Sequence, residues 1–126
     1  MMDEVDFHVD KTSGDGYVTA VISGSCYVDV NVFNHSFGAH YTTVVNEGED
    51  YLNKITSQMS CTAYGLIGSD GAIGKIYEKT ISATSEEFVL DFNQSEDFTG
   101  AVLYAVGLAK STISYTYGSF TIKSNE

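Results

Sequence analysis

The sequence predicts an all-β protein, an antiparallel β-sandwich of the jelly-roll or immunoglobulin-like kind, with about eight or nine strands in a single domain spanning 1–126. Three observations lead there. Apolar and polar residues alternate with a period of two along most of the chain. Clusters of Gly, Asn, Asp and Ser interrupt that alternation at roughly every 8 to 20 residues, the rhythm of strands joined by turns. The composition, with 26 Ser and Thr, 12 Gly, 9 Tyr and no Pro or Trp, suits pleated surfaces whose outer faces are polar.

Taken in order, the first strand is expected at 5–9 and the second at 17–23. Between them DKTSGDGYVTAVI has the look of a calcium loop. An EF-hand loop needs oxygen ligands at positions 1, 3, 5, 7, 9 and 12 with Gly at 6. Setting Gly16 at position 6 puts Lys11 at 1 and Ile22 at 12, where carboxylates are required. The segment therefore reads as a hairpin, with Asp15-Gly16 supplying the backbone angles of a tight turn. Calcium remains possible only at a site assembled from several loop ends, among the acids of NEGED, GSDG and NQSEDFTG; no other cofactor is expected.

The clearest strand is 26–33. Cys26, Val28, Val30 and Val32 form one apolar row, and Tyr27, Asp29, Asn31 and Phe33 face the other way. Further strands are expected at 39–45, 60–67, 73–82, 87–92, 101–108 and 112–122. Turns fall at 13–16, 23–24, 46–48, 68–71 and 93–100. Segment 49–59 is ambiguous: Leu52, Ile55 and Met59 recur at helical spacing, so a short helix competes with a strand.

The residues that could do chemistry are few. His8, His35 and His40 would suffice for a zinc site with a carboxylate, but their spacing does not favour one over ordinary hydrogen-bonded histidines. Cys26 and Cys61 lie in apolar rows. An inter-sheet disulfide is conceivable, yet buried free thiols are the simpler account, because no tryptophan follows the first cysteine and no export signal precedes it. No nucleophile elbow, phosphate loop or dinucleotide fingerprint is present, so an enzyme is not expected. GSDGAIG at 68–74 lacks the helix and lysine of a phosphate cradle and reads as a turn.

Charge narrows the partners. Seventeen acids against six lysines, with no arginine, give a net charge of −11, which repels phosphate backbones and anionic membranes. Direct nucleic-acid binding and membrane association are not expected. The sequons NHS (34–36) and NQS (93–95) matter only on a eukaryotic secretory route.

The most suggestive feature is the placement of aromatic side chains. Tyr27 and Phe33 lie opposite the valine row, and Tyr115 and Tyr117 share an alternating row with Ile113 near the C-terminus. Aromatic groups on a polar face give a large contact area at low entropic cost, as protein interfaces and sugar platforms require. Those four residues form the candidate interaction surface; the competing account is that both rows cover the core, with a bulge at Gly118. The functional expectation is a non-enzymatic structural or interaction module. Foremost is a phage or viral virion component (capsid decoration, head fibre or tail protein) binding other virion subunits or itself, in the virion or in host cytoplasm during assembly. The alternatives are a glycan-binding module of a larger secreted, extracellular protein and a small acidic inhibitor imitating nucleic acid.

Overall fold

The computed structural model describes residues 1–126, and strands dominate it. They are β1 (Met2–Thr12), β2 (Thr19–Asn31), β3 (Asn34–Glu47), β4 (Leu52–Ile67), β5 (Ala72–Ser85), β6 (Val89–Thr99), β7 (Val102–Tyr115) and β8 (Gly118–Lys123). They form two four-stranded antiparallel sheets, β1-β2-β3-β6 and β5-β4-β7-β8. This is the predicted sandwich. Four of the seven connections are hairpins within a sheet and three cross between sheets. An immunoglobulin order sets the second strand between the first and fifth; here β2 lies between β1 and β3.

The period-two rows meet at the centre. Ile22, Cys26 and Val28 of β2 and Phe37, Ala39, Tyr41 and Val45 of β3 face Ile55, Met59, Cys61 and Ala63 of β4 and Ala109 and Ile113 of β7. All belong to one core of 20 buried apolar residues. Three polar side chains share it. The hydroxyls of Thr43, Ser57 and Ser111 close a triangle with edges of 3.1, 2.8 and 2.7 Å. Each hydroxyl can donate to one neighbour and accept from the other, so all three are satisfied without water. The Tyr41 hydroxyl is likewise anchored, accepting from the Gln58 N–H at 2.9 Å and facing the carbonyls of Gln58 and Lys110.

Several expectations change at this level. Predicted strands 17–23 and 26–33 are one strand, because Gly24 continues the ladder rather than turning: Gly24 pairs with Phe7 on one side and Tyr41 on the other. Residues 93–100, expected as a turn, lie mostly in β6, paired with β3. The helix considered at 49–59 reduces to a three-residue 3-10 turn, Glu49–Tyr51, and β4 begins at Leu52. Pairing on both sides by β5 and β7 outweighs the helical spacing of three apolar residues. Val32, expected in the core row, is 80% exposed in the β2–β3 turn with φ 51. Cys26 and Cys61 are free buried thiols.

Both open sides of the sandwich are fastened by lysines. Lys11 of β1 donates to the Thr121 carbonyl of β8 at 2.8 Å and to the Glu126 carboxylate at 2.9 Å. Lys79 of β5 meets Glu96 of β6 at 2.6 Å. No helix is long and apolar enough to cross a membrane.

Candidate functional site

The antiparallel order brings four connections to one end of the sandwich: 13–18, 48–51, 86–88 and 116–117. Three of them supply a tyrosine. Tyr17 lies 4.7 Å from Tyr117 and 5.0 Å from Tyr51, ring centre to ring centre, and Tyr51 is 5.8 Å from Tyr117. The three rings pack on one another, yet Tyr17 is 45% and Tyr117 59% exposed. Aromatic pairs at these distances are mutually attractive, so the cluster is held in shape while the Tyr17 and Tyr117 rings face water in part.

A polar lock fixes the loop that carries Tyr17. Asp15 accepts hydrogen bonds from the Ser13 hydroxyl at 2.7 Å, the Tyr17 N–H at 3.2 Å and the Tyr115 hydroxyl at 2.7 Å. Ser13 also receives the Val18 N–H on its hydroxyl at 3.1 Å. The Ser13 and Tyr115 hydrogen bonds hold the Asp15 carboxyl below its usual range, and the same contact raises the Tyr115 phenol. Gly16, with φ 82, closes the turn, so the apparent calcium loop is a hairpin whose acid is bonded to the protein's own donors. No three His, Cys, Asp or Glu side chains converge closely enough to share a metal ion. His35 is buried: it accepts the Asn31 N–H on Nδ1 and so carries its proton on Nε2, directed at the Gly100 carbonyl 2.6 Å away.

The four predicted surface residues do not form one surface. Tyr117 belongs to the exposed cluster. Tyr115 is only 7% exposed, correcting its assignment to the surface: it continues the inward row of Ser111 and Ile113, whereas Tyr117 lies past the strand end in the turn. Tyr27 is half-buried on the outer face of the first sheet, lying across Gly38 of β3. It borders an open groove of about 310 Å³ with Glu4, His40, Asn93 and Gln94. Phe33 is exposed in the β2–β3 turn at the far end of the sandwich. Sequence reasoning missed Tyr17 and Tyr51. The available signal was that each of Tyr17, Tyr51 and Tyr117 adjoins a turn, but only the crossing from β3 to β4 brings those turns together.

A second exposed apolar area was also missed. On the outer face of the other sheet, Leu66 pairs with Ile73, and Tyr64 stacks on Tyr104 at 4.8 Å beside Val106. Leu66, Ile73, Tyr104 and Val106 are all exposed. The sequence matches no protein-family model and no curated protein. The fold and these surfaces define the class: an antiparallel β-sandwich presenting aromatic and apolar patches.

Proposed function

We propose that the protein is a non-enzymatic interaction module, a component of a phage or viral particle such as a capsid-decoration, head-fibre or tail subunit, docking on other subunits or on itself. The observation that carries this reading is the cluster of Tyr17, Tyr51 and Tyr117, three packed rings from three connections, of which Tyr17 and Tyr117 are exposed and Tyr51 is half-buried beneath them against the core. Preorganised tyrosines lose little conformational entropy on binding and are enriched at the centres of interfaces. The apolar outer face around Tyr64 and Tyr104 would give a subunit a second, separate contact, as an assembly part needs. Native mass spectrometry tests the proposal. The parent is expected as a defined oligomer, a trimer or larger ring, and Tyr117→Ser is expected to dissociate it with an unchanged circular dichroism spectrum. A parent that stays monomeric at high micromolar concentration would sink the assembly reading.

A specific observation favours one alternative. The Tyr27 groove sets an aromatic ring beside the carboxylate of Glu4, the amides of Asn93 and Gln94 and the imidazole of His40, the mixture that grips a sugar by stacking and hydroxyl hydrogen bonds. Retardation on polysaccharide affinity gels, abolished by Tyr27→Ala and untouched by Tyr117→Ser, would favour glycan binding over assembly.

A further inference from the structure

The second sheet is one half-strand short. β8 pairs with β7 only from Lys110 to Tyr115, and β7 runs back to Val102. Ser124 ends the ladder: its N–H donates to the Ala109 carbonyl at 2.8 Å and its hydroxyl accepts the Ala109 N–H at 3.2 Å. Beyond that point no strand pairs with residues 102–108 on the side away from β4. Ala109 turns both backbone groups toward the β8 side, so the two-residue period directs those of Gly107 and Ala105 the same way. Such an edge is a template for another chain.

The layer above the gap is uncovered as well. Val5 of β1 pairs with the buried Cys26 and so points inward, yet it is 48% exposed. Leu103 of β7 is 54% exposed as well. Between β1–β2 and β7 lies a groove of about 260 Å³ lined by Met1, Asp3, Val28, Val30, Leu103, Tyr104 and Ala105. Asp3 is its only charged side chain, and the Met1 ammonium is engaged by the Val30 carbonyl and the Asn31 and Asp29 side chains.

We propose that this groove is an acceptor slot for one extended segment of a different protein, a segment with apolar side chains at alternate positions and a lysine or arginine placed to meet Asp3. The backbone edge requires an extended chain, since only a strand presents N–H and C=O groups at the matching spacing. Seven residues of β7, about 23 Å at ~3.3 Å per residue, set its length. One row of its side chains would cover Leu103 and Ala105 in the groove, and the other would extend the outer patch beside Val106. β1 overhangs the column occupied by β8, as the Lys11 bond to Thr121 shows, so a single strand fits beneath it and the sheet edge of a second copy does not. Charge agrees: a basic segment is attracted to Asp3 and to a chain of net charge −11. The slot uses none of the three clustered tyrosines, so it stands independently of the assembly reading.

A synthetic peptide alternating threonine and valine between terminal lysines, nine residues long, is the probe. Amide hydrogen exchange read by NMR on the full chain is expected to show Ala105 and Gly107 exchanging fast in the free protein and at least tenfold more slowly with saturating peptide. Leu103→Ser, a change at an exposed position that removes the apolar side chain without altering charge, should weaken peptide binding at least tenfold with an unchanged circular dichroism spectrum. Ala105→Pro, which removes one edge-facing N–H, should do the same. Replacing the peptide lysines by glutamate should also weaken it. The proposal is overturned if saturating peptide leaves those two amides unprotected, if both variants bind like the parent, or if the amides become protected with rising protein concentration alone, which would make the occupant a second copy.

Discussion

The phenolic hydroxyl of Tyr115, near the end of β7, lies 2.7 Å from the carboxylate of Asp15 in the β1–β2 turn, across 100 residues of sequence. This bond ties the first hairpin to the penultimate strand and sets the floor beneath the exposed tyrosines. With the Ser13 hydroxyl it holds the Asp15 carboxyl below its usual range. A carboxyl lowered by folding stabilises the native state above its unfolded pKa of about 3.9, and that contribution disappears as the pH falls through the lowered native value. Tyr115→Phe is therefore expected to shift the midpoint of acid unfolding to higher pH. Its stability should move closer to the parent's once the pH is below both values. Acid titrations followed by circular dichroism read this directly, and coincident curves would mean that the bond contributes nothing.

The buried hydroxyl triangle makes a prediction about additivity. Ser57→Ala removes one corner and leaves Thr43 and Ser111 each short of a partner, at an expected cost of about 1–3 kcal/mol. The triple variant Thr43→Val, Ser57→Ala, Ser111→Ala removes all three groups together. It is expected to cost far less than the sum of its single changes, because no stranded hydroxyl remains. Urea denaturation of the set measures this; strictly additive losses would contradict it.

Val32 is a β-branched residue at φ 51 in a two-residue turn. The left-handed region costs such a side chain roughly 1–2 kcal/mol, while glycine loses about 0.5–1 kcal/mol through its greater unfolded freedom. Val32→Gly should accordingly raise stability by about 0.5–1 kcal/mol, seen as a higher urea midpoint at constant slope. A lower midpoint would show that the valine side chain is held by contacts that outweigh the strain.

Cys26 and Cys61 should both be inert toward thiol reagents in the native protein. Burial pushes Cys61 up to about 11 and also raises Cys26, so little thiolate exists near pH 8. Two thiols are expected to react in denaturant and none without it. Rapid labelling of either cysteine in the folded protein would place it at the surface.

What the sequence determined on its own was the layer structure. The row Cys26-Val28-Val30 carries its own facing in the two-residue period, and Asp15-Gly16 carries its turn, because these are local consequences of backbone geometry. The tertiary structure decided where the strands end and which turns meet. Gly24 reads as a turn until the neighbours Phe7 and Tyr41 pair across it, and the spacing of Leu52, Ile55 and Met59 leaves helix and strand in competition until β5 and β7 flank them. The gathering of Tyr17, Tyr51 and Tyr117, and the uncovered edge left where β8 stops beside Ala109, depend on strand order and relative length, which the period of two does not encode. Side-chain rhythm specifies a face; only the closing of one sheet over another specifies which faces and edges are left open.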